Sequence, residues 1–145
     1  MVRQSAWWAQ LLQLRATWMS EALAGQAKKR PSHGPDGDWE ALEVEPPGPG
    51  SVVEAVHGVD DLVVWRTALG EVCVMEARCP HQWSHLAQEG SVDGEELVCL
   101  AHFWRFTTSG EGWKANMGGR RDRKGDIDVH PCREVDGRIW VRRTA

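Results

Sequence analysis

The stretch "EARCPHQWSHLAQEGSVDGEELVCLAHFWRF", residues 76–106, contains two short groups of metal-binding residue types. Cys79 and His81 form a Cys-x-His group, and Cys99 and His102 form a Cys-x-x-His group. Thiolates and neutral imidazoles bind transition metals, and a mixed set of two sulfurs and two nitrogens excludes hard cations such as Mg²⁺ and Ca²⁺. Each group follows a predicted strand, so we expect two short loops to converge on one metal centre.

Composition alone leaves two kinds of metal centre open. One is a structural Cys₂His₂ zinc site, and the other is a [2Fe–2S] cluster in which two His replace two Cys on one iron. Zinc fingers usually group their ligands as Cys-Cys followed by His-His. Here each loop supplies one Cys and one His, so the thiolates can bind one iron and the imidazoles the other. This division of ligands favours the two-iron cluster.

The same stretch resembles the Rieske motif, which is Cys-x-His, a spacer of about 15–17 residues, and Cys-x-x-His. The flanking segments agree with this resemblance. Residues 61–81 are similar to the strands that lead into the first ligand loop of oxygenase-type Rieske domains. Residues 102–113 resemble the segment after the second loop, and residues 127–141 resemble the closing hairpin. The resemblance covers roughly residues 38–143 and implies one Rieske-type [2Fe–2S] cluster.

The resemblance also implies a fold and a ligand assignment. The fold is all-β, with a base of antiparallel sheets and an inserted cluster-binding subdomain at about residues 79–117. Cys79 and Cys99 would bind the inner iron, and His81 and His102 the outer iron. In the family the imidazole edges face solvent, so these two His would be where the electron enters and leaves.

Departures from the high-potential members of the family imply a low reduction potential. Those proteins link the two ligand loops by a disulfide, and the matching positions here are Ser84 and Ala101. They also use a Ser and a Tyr hydroxyl as hydrogen-bond donors to sulfur. The matching positions are Trp104 and Phe106, which have no hydroxyl. We therefore expect a potential of about −150 to 0 mV.

Several other residues near the motif allow more than one interpretation. Family members usually place Gly after the second His, whereas Phe103 here can crowd the loop, cover His102 or form a partner surface. His85 is interpreted as a loop residue, and Cys73 and Cys132 as structural thiols. A run of basic residues follows the cluster-binding loops and consists of Arg120, Arg121, Arg123 and Lys124. It is predicted to be a solvated loop, or alternatively a surface that steers an acidic redox partner.

The chain is divided by composition into an N-terminal segment, a linker and a β-rich domain. Residues 1–30 have a local charge of +4 and predict an amphipathic helix over residues 5–24. This helix would pack on its own domain or a second copy, or dock on a partner or a membrane surface. Residues 31–37 are predicted to be a linker, and residues 38–145 the Rieske domain. The N-terminal segment is too polar for a signal peptide or a membrane span.

Short strands separated by turn residues are predicted from Trp39 onward. The runs at residues 51–58, 61–67 and 70–77 are β-branched or alternating, and residues 96–106 follow a turn. Residues 126–142 predict a hairpin that turns at Asp136 and Gly137. No helix longer than a turn or two is expected after residue 38.

These patterns predict a cytoplasmic one-electron carrier or electron-transfer subunit that is not itself an enzyme. A reductase would be its electron donor, and an oxygenase or another redox protein its acceptor, because this chain has no second domain for a catalytic mononuclear iron. A net charge of −4 argues against nucleic acid as a partner, and four cysteines are too few for a disulfide scaffold. The alternatives are a zinc-binding structural or regulatory module and a cluster-based redox sensor.

Overall fold

The computed structural model describes residue 35 and residues 37–142. This part of the chain forms twelve short strands and one helical turn. The elements are β1 (Trp39–Ala41), β2 (Val52–His57), β3 (Asp60–Arg66), β4 (Val72–Glu76), α1 (Leu86–Glu89), β5 (Gly90–Asp93), β6 (Glu96–Cys99), β7 (Trp104–Phe106), β8 (Gly112–Ala115), β9 (Arg121–Arg123), β10 (Val129–His130), β11 (Cys132–Val135) and β12 (Arg138–Arg142).

The strands form three antiparallel sheets. One sheet has the order β1-β12-β11, and a second has the order β10-β4-β3-β2. The third has the order β5-β6-β7-β8-β9 and lies between β4 and β10 in the chain. The chain therefore leaves the second sheet after β4, builds the third, and returns to pair β10 with β4. The predicted all-β fold with an inserted subdomain is confirmed, and α1 has only four residues.

Strand β3 is buried on both faces and joins two apolar cores. Successive side chains of a strand point to opposite faces, so a continuous apolar run is expected where both faces are covered. Leu62 and Val64 pack into one core together with Ile139 and Val141 of β12. Val63 and Trp65, on the other face of β3, pack into a second core that also contains Cys79 and Cys99. Other large side chains of this second core include Met75, Leu86, Leu97 and Phe106.

The closing hairpin is formed by β11 and β12, as predicted. Asp136 and Gly137 have φ angles of 52° and 74°. Positive φ at both central residues is required by the type I′ turn, whose twist matches that of the flanking strands. Short-range turn chemistry therefore predicts this hairpin correctly.

The basic run differs from the predicted solvated loop, because Arg121–Arg123 form the edge strand β9. Arg123 lies opposite Trp113 of β8 in the register of the two strands. Its guanidinium carbon lies 5.0 Å from the centre of the Trp113 ring, and that of Arg121 lies 5.6 Å away. These cation–π contacts stabilise a strand whose polar composition gives no apolar alternation.

The predicted amphipathic helix over residues 5–24 lies outside the described residues. Within residues 37–142, no helix is long and apolar enough to cross a membrane.

Candidate metal centre

The first ligand loop, which contains Cys79 and His81, is closed by two backbone hydrogen bonds. The Cys79 N–H donates to the Ser84 carbonyl at 2.9 Å, and the Trp83 N–H donates to the Cys79 carbonyl at 2.9 Å. Leu86 follows the loop, is fully buried, and donates its N–H to the Ala77 carbonyl at 2.8 Å. The loop is therefore held at both ends against the core.

The second ligand loop connects β6 to β7 and contains Cys99 and His102. The Phe103 N–H donates to the Cys99 carbonyl at 2.7 Å, so this loop repeats the bond that closes the first one. The Leu100 N–H donates to the Glu89 carbonyl of α1 at 2.7 Å. This contact links the second loop to the helical turn that follows the first loop.

The two thiols of the motif are buried side by side. Cys79 lies within hydrogen-bond reach of Cys99, and both belong to the core between the second and third sheets. Burial, together with the neighbouring Cys99, raises the pKa of the Cys79 thiol to about 11. The backbone N–H groups of His81 and Gln82 donate to the Cys79 sulfur and oppose this rise. The same N–H groups would stabilise negative charge on a metal-bound thiolate.

The two imidazoles lie together at the surface. The ring centres of His81 and His102 are 4.6 Å apart with an interplanar angle of 64°. The ring of Trp104 is 4.8 Å from that of His81. Nδ1 of His102 is buried and has no hydrogen-bond partner among the described residues. A buried acceptor without a partner is costly, and metal coordination would satisfy it.

Positive charge surrounds the exposed His81 ring. Desolvation, followed by the charges of His102, Lys114 and Lys124, lowers the pKa of His81. A neutral imidazole is the form that binds a metal, so these surroundings favour the ligand state.

The structure places the four residues predicted from the motif as two neighbouring pairs, one of thiols and one of imidazoles. Two neighbouring buried thiols face the core, and two neighbouring imidazoles lie at the solvent edge. Ser84 and Ala101 carry no thiol, and neither Trp104 nor Phe106 offers a hydroxyl. The donor set fits the cluster.

Two aromatic residues in the ligand loops have left-handed backbone conformations. Trp83 and Phe103 each have a φ of 61°, the region that glycine enters without a penalty. A side chain there costs about 1–2 kcal/mol. This conformation accounts for the Gly that the family usually places at the position of Phe103. Phe103 is 62% exposed, so it is not packed into the loop. Trp83 was not predicted from the sequence, because no short-range pattern distinguishes it.

His85, interpreted from the sequence as a loop residue, is the buried N-cap of α1. Its Nδ1 accepts the Ala87 N–H at 3.1 Å, so the ring proton of the neutral form is on Nε2. Nε2 lies 3.3 Å from Asp61 and 3.6 Å from Glu54. Although these three side chains bring ligand-type atoms within 4.8 Å of one another, a protonated Nε2 cannot bind a metal. The contacts of His85 with Asp61 and Glu54 tie the first loop to β3 and β2.

Cys73 and Cys132 lie in strands β4 and β11, outside the two ligand loops. Cys73 is buried and Cys132 half-buried, and burial raises the pKa of both thiols, that of Cys73 to about 12. Thiols of this kind are unreactive, because the thiolate is the nucleophile. Their burial agrees with the interpretation of both as structural thiols.

Comparison with known proteins identifies the family. A family model for the Rieske [2Fe-2S] domain matches residues 39–119, which is more than half of the chain. The chain belongs to the Rieske [2Fe–2S] domain family. A Rieske domain binds one [2Fe–2S] cluster and serves as an electron-transfer module, so the predicted cofactor is confirmed.

The Rieske domain is similar to parts of larger proteins. It is 33% identical over 110 residues to cholesterol 7-desaturase from Xenopus laevis, covering 74% of this chain and 24% of that protein. The chain spans about a quarter of the length of the curated relatives that it matches. The structure of NdmA from Pseudomonas putida CBB5 is 27% identical with a TM-score of 0.60, covering 72% of this chain and 33% of that one.

A third likeness concerns a short chain. One chain in the structure of a complex of reduced oxygenase and oxidized ferredoxin in carbazole 1,9a-dioxygenase is 21% identical, with a TM-score of 0.56. The match covers 72% of this chain and 93% of that chain. This likeness shows the shared fold, and it shows that the fold can make up nearly all of a chain.

Proposed function

We propose that this chain is a one-electron transfer protein, or an electron-transfer subunit, whose low-potential [2Fe–2S] cluster is held by Cys79, Cys99, His81 and His102. The observation that supports this function best is the separation of the donors into a buried thiol pair and a surface pair of imidazoles whose rings are 4.6 Å apart. The buried side excludes water from the thiolates, and the exposed His81 edge gives a partner a short route to the metal.

The cluster supplies reversible one-electron reduction when it is bound. The chain's own residues determine the environment of that step. The backbone N–H groups of His81 and Gln82 donate to the Cys79 sulfur, and a fully buried Phe106 keeps the thiol side apolar. The absence of hydroxyl donors at Trp104 and Phe106 favours the oxidised form, and supports a potential at the low end of the Rieske range.

We propose a reductase as electron donor and an oxygenase or other redox protein as acceptor. The relatives support this assignment, because they include cholesterol 7-desaturase and a fold match in a complex of an oxygenase with a ferredoxin. In this proposal the chain moves electrons and does not itself transform a substrate. Residues 38–145 would be the electron-transfer domain in the cytoplasm. Residues 5–24 would be a helix for docking or self-association.

The purified full chain tests the cofactor and the redox role together. We expect a red-brown protein with two iron and two sulfide per chain, and an EPR signal after reduction whose average g value is below that of the free electron. Stoichiometric reduction by dithionite and reoxidation by an acceptor would support the carrier function. A colourless protein that contains one zinc per chain would contradict it, and would favour the structural or regulatory module.

A second test distinguishes a carrier from a redox sensor. We expect the rate of electron transfer between a reductase and an acceptor to increase with the concentration of the chain, because a carrier turns over many times. A cluster that changes redox state once and then alters binding to a partner, without repeated transfer, would indicate the sensor.

A further inference from the structure

The ligand loops present a group of exposed apolar side chains beside His81 and His102. Trp83 is 69% exposed, Phe103 62% and Leu100 51%. Trp83 lies two residues after His81, and Phe103 directly follows His102, so each ligand loop carries an exposed aromatic residue next to its imidazole in the chain. A group of large apolar side chains at one place on a surface is typical of an interaction site, whereas single ones are common.

The backbone at both aromatic residues is strained in the same way. Each has a φ of 61°, and each donates its N–H to the carbonyl of the Cys four positions earlier. Arg78 donates to the Trp83 carbonyl at 3.2 Å and fixes the first of these turns. Glycine would adopt the same conformation without strain. Strained residues concentrate at functional sites, so an exposed aromatic side chain at each of these positions points to a use outside the fold.

Two lysines lie near His81, on the imidazole side of the ligand loops. Lys124 directly precedes Gly125, where a Cβ would lie 3.6 Å from the Trp104 side chain and 4.0 Å from that of Pro80, the neighbour of His81. Both Lys114 and Lys124 act on the His81 ring, and Arg120 lies on the same β8–β9 hairpin. Within residues 37–142, no carboxylate forms an ion pair with Lys114, Arg120 or Lys124. Unpaired cations beside an apolar centre are complementary to a protein surface with an apolar centre and an acidic rim.

We propose that this face is the docking surface for an acidic redox protein, with Trp83 and Phe103 as the anchoring contacts and Lys114 and Lys124 as the steering charges. The inference rests on the proposed electron-transfer function. It adds the class of partner and the residues that select it. Aromatic anchors surrounded by charges are the usual composition of the few contacts that dominate an interface.

Equilibrium binding to two redox proteins of opposite charge tests the steering charges. The cluster-loaded full chain is titrated calorimetrically, with all proteins oxidised, against an acidic plant-type [2Fe–2S] ferredoxin and against basic cytochrome c. We expect tighter binding of the ferredoxin, weakening as salt is raised. Replacing Lys114 and Lys124 by Gln should reduce the slope of this salt dependence, whereas Arg142→Gln, on strand β12 of another sheet, should not.

Glycine variants test the aromatic anchors, because glycine removes the side chain and relieves the strain. Trp83→Gly and Phe103→Gly should each weaken ferredoxin binding about tenfold. Their visible absorption should be unchanged, and their melting temperature should be unchanged or higher. Leu69→Ala is the matched control, since Leu69 is also exposed and lies at the opposite end of β4 from the first ligand loop. Asn variants at both positions, which also tolerate positive φ, provide a second set.

Several results would overturn the proposal. One is that the Gly and Asn variants keep their cluster and bind the ferredoxin as tightly as the wild type. The others are that the wild-type chain binds cytochrome c more tightly than the ferredoxin, or that its ferredoxin binding does not depend on salt. Loss of the cluster in both sets of variants would assign the side chains a structural role instead. If Trp83 and Phe103 were needed only for binding to anionic vesicles, the surface would be a membrane-binding site. If they were needed only for self-association, its partner would be a second copy of this chain. Failure of the proposed function would show separately, as a wild-type chain that lacks iron and sulfide or whose cluster does not transfer electrons repeatedly.

Discussion

The imidazole ring of His81 lies 4.6 Å from that of His102, although 21 positions separate the two residues in the sequence. Two hairpin-like loops bring them together, and each loop is closed by an N–H donated to the carbonyl of its own Cys. Since both thiols are buried and both imidazoles lie at the surface, the two halves of the donor set have different solvent access. In the proposed function, this difference would let an electron reach the cluster through His81 without exposing the thiolates.

Replacing a motif thiol should abolish the cluster. We expect Cys99→Ser to purify without visible absorption and with less than about a tenth of the wild-type iron and sulfide, because a hydroxyl is a poor ligand for these irons. Cys132→Ser is the matched control, since Cys132 is half-buried and lies outside the motif. It should retain the wild-type iron and sulfide content. Cluster loss in the control and retention in Cys99→Ser would refute the ligand assignment.

A hydroxyl at position 106 should raise the reduction potential. Phe106 is buried in the core that contains both thiols, so Phe106→Tyr places a donor on their side. One hydrogen bond worth about 1–2 kcal/mol would shift a one-electron potential by roughly 40–90 mV in the positive direction. Protein-film voltammetry measures the change.

The control for that shift is Phe103→Tyr, which adds the same hydroxyl at an exposed position. Its potential should stay within about 20 mV of the wild type, less than the effect of one full hydrogen bond. Equal shifts in both variants would mean that surface polarity, and not a bond to sulfur, determines the potential.

Much of the fold and the metal centre follows from local patterns. Cys79, His81, Cys99 and His102 are recognisable because their order and spacing are themselves the pattern. The hairpin at Asp136 is predictable because its turn depends on adjacent residues. Contacts between distant segments are not predictable in this way, because no short-range pattern contains them. The contacts of His85 with Asp61 and Glu54 are an example.

The strand β9 illustrates the same limit. Its three residues are Arg, Asp and Arg, a composition that predicts a solvated loop, and the Trp113 that stabilises the strand is eight or more positions away. The left-handed conformation at Trp83 is equally hidden, because an aromatic residue gives no local signal for positive φ.

An alanine at position 112 should destabilise the third sheet. A Cβ there would lie 2.0 Å from the Gly125 carbonyl oxygen. The backbone at residue 112 fixes the position of this Cβ, and the carbonyl is itself a backbone group, so neither atom can move easily. We expect Gly112→Ala to lower the free energy of unfolding by about 1–3 kcal/mol, the usual cost of overpacking. Gly48→Ala is the control, because a Cβ at that position meets no atom within 4 Å. Thermal unfolding followed by circular dichroism distinguishes them, and equal melting temperatures would contradict the close backbone contact.

Glu96 should contribute stability that depends on pH. Burial alone would raise the pKa of this carboxyl group, but the hydrogen bonds and charges of Arg121 and Arg105 outweigh it and hold the pKa below its ordinary value of 4.5. A carboxyl group with a lowered folded-state pKa stabilises the fold above its unfolded pKa, and this stability is lost as the pH falls through the folded pKa. The contribution should therefore be complete at neutral pH, begin to fall near the unfolded pKa of about 4.5, and be lost at lower pH as the folded pKa is passed.

Glu96→Gln removes the charge while keeping the shape of the side chain. We expect a loss of about 1 kcal/mol at pH 7, or roughly 4 °C in melting temperature, and convergence with the wild type in acid. Glu45→Gln is the control, because Glu45 is exposed and forms no ion pair within residues 37–142. Melting temperatures measured for all three proteins between pH 3 and pH 7 test the prediction. A constant difference between Glu96→Gln and the wild type across that range would show that the side chain acts through packing and not through its charge.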